Sequence, residues 1–228
     1  MLRRCLLATI GLLAFAGAAT AQTAAQPPAP TAQATSSQET MEEPEIGDHW
    51  TYEVRDEITG DLKSTITHTI TDISPTEIGI RLAVLGKSDL GFQSYDRAWD
   101  MITNGIWRST PNDGMGIRAP LAVGKSWPVK ATDFNSSNGI SLKRTGTAKV
   151  TAQESLTTRA GTFETYKIEI EIAIESRNAN DTTKKYLSEQ QIWYAPSINH
   201  WVKRASVSRS DGRVRDRSMA ELVEYGRR

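Results

Sequence analysis

Between Tyr166 and Glu175 the chain alternates with a period of two: Tyr166, Ile168, Ile170, Ile172 and Ile174 stand against Lys167, Glu169, Glu171, Ala173 and Glu175. Successive side chains leave a β-strand on opposite faces, so this pattern makes a strand with one dry and one wet face. A helix needs apolar positions every three or four residues. Trp50, Tyr52 and Val54 repeat the alternation against Thr51, Glu53 and Arg55, and Ile78, Ile80, Leu82 and Val84 repeat it against Glu77, Gly79, Arg81 and Ala83. No comparable stretch after residue 45 keeps a helical period. Asn104-Gly105, Asn138-Gly139 and Asp211-Gly212 suit the positive φ angles of tight hairpins. The expectation is an all-β fold, a curved antiparallel meander sheet or half-barrel of roughly ten strands with little helix.

The start of the chain bounds where such a sheet would reside. Arg3 and Arg4 precede an uncharged run from Leu6 to Ala19, and Ala19-Thr20-Ala21 places small residues where a signal peptidase reads. Residues 1–21 are therefore expected to be a signal peptide cleaved after Ala21, with the product periplasmic or secreted. The run is shorter than the roughly 20 residues that span a bilayer, so no transmembrane segment is expected in the mature chain. Cys5, the only cysteine, lies before the run, which leaves the mature chain without a thiol for a disulfide or a lipid anchor. Residues 22–45 are rich in Ala, Gln, Thr, Ser and Pro and are expected to be a disordered linker, with residues 46–228 as a single β domain. The sequence has 27 basic and 27 acidic residues, and the signal segment carries two of the arginines. An exported, near-neutral protein is a poor partner for nucleic acid, and none is expected.

A weak internal echo accompanies the strands. Ile46-Gly47-Asp48-His49-Trp50 and Val123-Gly124-Lys125-Ser126-Trp127 share an aliphatic-Gly-x-x-Trp start, and each leads to a Thr-rich strand, Thr65 to Thr71 and Thr145 to Thr151. A duplicated unit and coincidence both account for this. In either case the Gly is expected to make a bend and the Trp to cap the core.

From Ala160 the chain reads Gly161-Thr162-Phe163, later Trp193-Tyr194-Ala195-Pro196 and then Val202-Lys203-Arg204. This resembles a group of uncharacterised secreted bacterial β-proteins in which a Gly-Thr-Phe strand start precedes a Trp-Tyr-x-Pro turn and a Val-Lys-Arg strand. The resemblance implies a half-barrel similar in shape to periplasmic lipoprotein carriers, a curved sheet able to hold an acyl chain. Physically the signature reads as a hairpin, since Pro196 cannot donate to a ladder and Asn199 suits a turn.

Chemistry-bearing residues are sparse. His49, His68 and His200 have no pairwise spacing that brings two ligands to one metal, and no metal or cofactor is expected. His68 falls between Ile66 and Ile70 on the core side; an acid-base role would need Asp48 or Asp72 beside it. No nucleophile elbow, phosphate loop or dinucleotide fingerprint occurs, and an enzyme is not expected. Glu169, Glu171 and Glu175 splay along one strand face and are read as pairing with bases such as Lys184 and Lys185. The basic run from Lys203 to Arg217, including Arg204, Arg213 and Arg215, is read as a solvated strand face. Six Trp are many for one domain. If they line a concave face they form an apolar groove, and the candidate binding residues are Trp50, Tyr52, His68 and Trp99 together with Trp193, Tyr194 and Trp201.

The sequence thus points to a periplasmic, non-enzymatic binding protein for an apolar or amphiphilic envelope ligand or a protein partner, with a lipid, a lipoprotein or another envelope protein as its partner. One alternative is a structural cell-envelope interaction module without a ligand cavity. A lesser one is an uncharacterised hydrolase using His68 or His49 with a neighbouring Asp.

Overall fold

A computed structural model describes residues 41–88, 90–178, 180 and 182–227. The expected signal peptide and most of the expected linker lie outside the described residues. Twelve antiparallel strands follow one another as a meander: β1 (His49–Asp56), β2 (Leu62–Ile73), β3 (Glu77–Val84), β4 (Leu90–Asp96), β5 (Met101–Asn104), β6 (Trp107–Asp113), β7 (Ser126–Asn135), β8 (Ser141–Thr158), β9 (Gly161–Arg177), β10 (Thr183–Ala195), β11 (His200–Ser210) and β12 (Arg213–Gly226). The helical content of the described residues is one 3-10 turn, Pro196–Ile198. Twelve strands compare with the roughly ten expected, and β5, of four residues, is too short to display an alternation.

The expected half-barrel needs one correction, because the sheet closes. β1 pairs with β2 on one side and with β12 on the other, from His49 opposite Gly226 to Asp56 opposite Ser218. A half-barrel would leave two edges of unpaired N–H and C=O groups, and closure satisfies them. Gly146 helps the ring turn tightly: a Cβ there would sit 1.9 Å from the Glu171 carbonyl oxygen, so only glycine lets β8 approach β9 at that point.

The internal echo has a structural counterpart. Gly47 and Gly124 both have positive φ, 99° and 91°. Gly47 N–H donates to Ile70 O and Ile70 N–H to Asp48 O; likewise Gly124 N–H donates to Val150 O and Val150 N–H to Lys125 O, all at 2.9 Å. Trp50 and Trp127, each three residues beyond its glycine, are both buried.

An up-and-down meander puts alternate connections at opposite ends of the barrel. The hairpins after β1, β3, β5, β7, β9 and β11 form one end, where Ile58, Leu85, Ile106 and Val214 are exposed. The other end is closed by packed segments. The connection between β6 and β7 tucks Ile117 and Leu121 into the core that holds Trp127, Ile168 and Ile192. The last residues of the expected linker also dock here: Glu42 N–H donates to Pro196 O, Asn199 Nδ2 donates to Glu42 O at 2.6 Å, and Arg227 pairs with Glu42, Glu45 and Asp48.

Beyond a register shift between Val150 and Ala152, the end of the β8–β9 hairpin lies against other strands. Trp193 Nε1 donates to Glu154 at 2.5 Å, Arg159 pairs with Glu53 of β1, and Leu156 and Phe163 pack on the apolar cluster that contains Trp193, Val202 and Leu222.

Candidate binding site in the barrel lumen

Alternation along β1 turns Trp50, Tyr52 and Val54 inward, and the β1–β2 register sets His68 opposite Trp50 and Ile66 opposite Tyr52. On β10 the inward residues are Ile192 and Tyr194. The 3-10 turn then returns the chain as β11, bringing His200 and Trp201 beside them. From across the barrel the connection between β4 and β5 supplies Trp99.

Trp99 stands at φ 65°, a conformation that costs a bulky residue of order 1–3 kcal/mol and persists only where its surroundings enforce it. The enforcement is visible. Asp96 Oδ1 accepts from the backbone N–H of Ala98 and of Asp100, each at 2.9 Å. The buried Asp100 carboxylate accepts from Gly116 N–H at 2.6 Å and pairs with Arg118 at 2.6 Å; burial still pushes its pKa above the ordinary value, against the pull of Arg118. Trp99 Nε1 donates at 2.9 Å to Asn199 Oδ1, which also accepts from the Tyr194 hydroxyl at 2.6 Å. Asn199 itself is left-handed at φ 45°, a region that Asn tolerates better than most residues.

The rings form one connected lattice. Trp50 stacks on His200 at 4.3 Å between centroids, Trp99 meets His200 edge-on at 4.8 Å, and Tyr52 stacks on Trp201 at 3.7 Å and meets His68 edge-on at 5.3 Å. The Tyr52 hydroxyl lies 2.9 Å from the Trp201 carbonyl oxygen and 2.7 Å from His200 Nδ1. A carbonyl only accepts, so the hydroxyl proton goes to Trp201 O and His200 Nδ1–H donates to the hydroxyl oxygen.

This lattice walls two of a row of three cavities inside the barrel, the first and the third. The first, about 120 Å³, is bounded by Trp99, Tyr194, His200 and Ile117. The second, about 240 Å³, lies toward the β5–β6 hairpin and shares Ser109, Asp133 and Arg144 with the first. The third, about 240 Å³, is bounded by Tyr52, Val54, Ile66 and His68 and shares Trp201 and Arg204 with the first. The first and third have largely apolar and aromatic walls with a few polar groups, the usual make-up of a small-molecule site, whereas the second is more polar, with Asn104, Ser109, Asp133 and Arg144 in its wall.

The electrostatics favour neutral imidazoles. Burial pushes His68 down to about 4, with the Arg204 charge acting in the same direction. Burial likewise holds His200 well below the ordinary value, aided by His68 and Arg204 and opposed by its Trp201 backbone contact. The Arg144 guanidinium pairs with Asp133 at 2.5 Å, and Ser109 donates to the other carboxylate oxygen at 2.6 Å.

Of the residues proposed from sequence, Tyr52, His68, Trp99, Tyr194 and Trp201 border these cavities. Trp50 is 1% exposed and supports the lattice from behind. Trp193 is placed apart from them: it pairs across the ladder with Lys167, and the ammonium groups of Lys167 and Lys203 lie 5.2 Å from its ring. No carboxylate among the described residues hydrogen-bonds a histidine ring; His49 Nδ1 instead contacts Gly47 O at 3.1 Å. Glu175 pairs with Lys185, as the acidic strand face suggested.

Sequence reasoning missed Tyr95, Arg144 and Arg204 as cavity residues, passed over His200, and read Asn199 only as a turn residue, not as the partner that holds Trp99 and Tyr194. Arg204 corrects the solvated reading of the basic run. It opposes Ile192 on β10 and Ala220 on β12, both apolar, whereas Lys203 opposes Trp193 and Glu221. The alternation Arg204, Ser206, Ser208 carried a signal, but the small polar partners disguised an inward face. Arg215 and Arg217 of the same run are at the surface, paired with Asp211 and Glu57.

No helix among the described residues is long and apolar enough to cross a membrane. No family model matches the chain, and no curated protein does. Solved structures do. A candidate lipoprotein from Parabacteroides distasonis ATCC 8503 aligns over 82% of this chain and 99% of its own, with 16% identity and a TM-score of 0.54. A candidate exported protein with YmcC-like fold from Bacteroides fragilis NCTC 9343 aligns over 83% of this chain and 100% of its own, with 15% identity and a TM-score of 0.53. At these identities the likeness is one of fold: the chain shares the all-β architecture of these two bacterial proteins.

Proposed function

We propose that this is a non-enzymatic envelope protein that binds an apolar or amphiphilic ligand inside its barrel. The observation that carries the reading is the row of adjoining cavities along the lumen, the first sharing Trp201 and Arg204 with the third and Ser109, Asp133 and Arg144 with the second. A barrel evolved only for packing would fill that space with side chains, because interiors normally reach crystal-like density. Export agrees with the amino-terminal features of the sequence and with the descriptions of the two structural neighbours as lipoprotein and exported protein.

The test is native mass spectrometry of the protein purified from the host envelope, with organic extraction of whatever it carries. A defined bound species is expected, and Trp201→Ala is expected to weaken its retention on the order of ten-fold, the effect of losing a ring that flanks a ligand. Trp193→Phe, away from the cavities, is expected to change nothing. Protein that is empty and also refuses added amphiphiles would sink the binding reading.

A second reading, an interaction module, has one observation in its favour. Ile58, Leu85 and Ile106 stand 67%, 79% and 54% exposed on successive hairpins of one end, more apolar surface than a free end needs. Empty protein that refuses amphiphiles would shift weight to this reading.

A further inference from the structure

Arg204 forms the wall between the first and third cavities. Its side chain is half-buried and borders both of them. One hydrogen bond is made by its side chain among the described residues, from Nη2 to Gln190 Oε1 at 2.6 Å, and none of their carboxylates is within ion-pairing distance. Arg144 lines the same first cavity. Its charge is met by Asp133, yet its Nε is buried without a hydrogen-bond partner among the described residues.

The local charge therefore does not balance. Two guanidinium groups face one carboxylate, and the neighbouring His68 and His200 are neutral. Removal from water lowers the pKa of Arg204 from the ordinary value, and Arg144 acts in the same direction, but an arginine stays protonated in a protein. Buried charges are normally paired, and a guanidinium presents five donors in a planar fork that matches carboxylate and phosphate oxygens. Of Arg204's donors, one has an acceptor within the described chain.

We propose that the lumen holds its ligand by an anionic head group, a carboxylate or a phosphate monoester, with Arg204 as the forked partner, the Arg144 charge beside it, and the Tyr52–Trp201 stack against the apolar part. This assignment rests on the lumen-binding reading above and narrows it from amphiphiles in general to anionic ones. A cationic amphiphile is excluded by sign, and a neutral one would leave the fork unmet.

The experiment compares three ligands of one chain length, decanoate, decyl phosphate and decanol, by isothermal titration against the full exported protein and its Arg204→Gln variant. The anions are expected to bind wild type on the order of ten-fold tighter than decanol, as hydrogen bonds to a charged group contribute. Arg204→Gln should abolish that preference and leave decanol binding in place. The better of the two anions identifies the head group as carboxylate or phosphate. Equal binding of all three ligands, or a preference that survives Arg204→Gln, overturns the anionic assignment while the lumen reading stands. Binding of none of them to wild type overturns both. Should Arg204→Gln fail to fold, Arg204→Lys decides: it keeps the charge and loses the fork, so the preference should drop several-fold with decanol unchanged, and an undiminished preference overturns the assignment.

Discussion

Asn199 shows how much one side chain can organise. Its carboxamide oxygen accepts from Trp99 and Tyr194 while its nitrogen reaches Glu42, so a single turn residue ties three separated segments to the same corner of the lumen. His68 gives this corner a measurable pH response. Its folded pKa of about 4 lies below the ordinary 6.5, so as pH falls the unfolded chain takes up the proton first. The stability tied to neutral His68 is complete above pH 6.5 and is lost progressively down to about 4. Facing groups are Tyr52, His200, Trp201 and the Arg204 charge, with no carboxylate among them to reverse the sign. Between pH 7 and 5 the contribution of His68 is about 2 kcal/mol, and His68→Leu is expected to flatten the dependence of the unfolding free energy from urea denaturation on pH over that range by this amount. A variant that keeps the full dependence would place the titration elsewhere.

At the scale of strands and connections, glycine positions separate two kinds of constraint. Gly124 has φ 91° with open space around its Cα, so Gly124→Ala meets backbone strain alone and should cost about 1 kcal/mol. Gly146 has no unusual φ, but a Cβ would collide with the backbone of Glu171 and force β8 from β9, so Gly146→Ala should cost about 3 kcal/mol or more. Chemical denaturation of both variants checks the order, and a reversed order would contradict the stated role of Gly146 in curving the sheet. Three strands were directly legible in the chain because β1, β3 and β9 each display a clean alternation. β5 was not, since four residues cannot establish a period, and Trp99 sits in a connection whose geometry depends on Asp96, Asp100 and Asn199 together.

For the molecule as a whole, closure and capping separate. β1 with β12 closes the ring through backbone bonds, whereas residues 41–45 clasp one end through Glu42, Glu43 and Glu45. A chain beginning at Ile46 keeps every strand and is expected to fold with the same circular dichroism while losing about 2 kcal/mol, a few hydrogen bonds and partly exposed ion pairs. Its melting temperature should fall by several degrees and no more. Failure to fold would make the clasp part of the core. The candidate site was legible in part. Trp50, Tyr52, Trp99 and Trp201 were proposed from aromatic content alone, and the structure brings them into one lattice with His68 and His200.

By itself the sequence determined the all-β class, the inward faces of the main strands and the turns between them, because period-two alternation and left-handed glycine turns act over a few residues. Only the tertiary structure decided that the sheet closes, that Trp193 leaves the lumen and that Arg204 enters it without a carboxylate. Those outcomes depend on which strand lies beside which and on register shifts, among them the one in the β10–β11 pairing that skips Val202 and brings Trp201 and Arg204 to the same cavity. Such relations join residues far apart in the chain, and the strand-by-strand alternation contains no term for them.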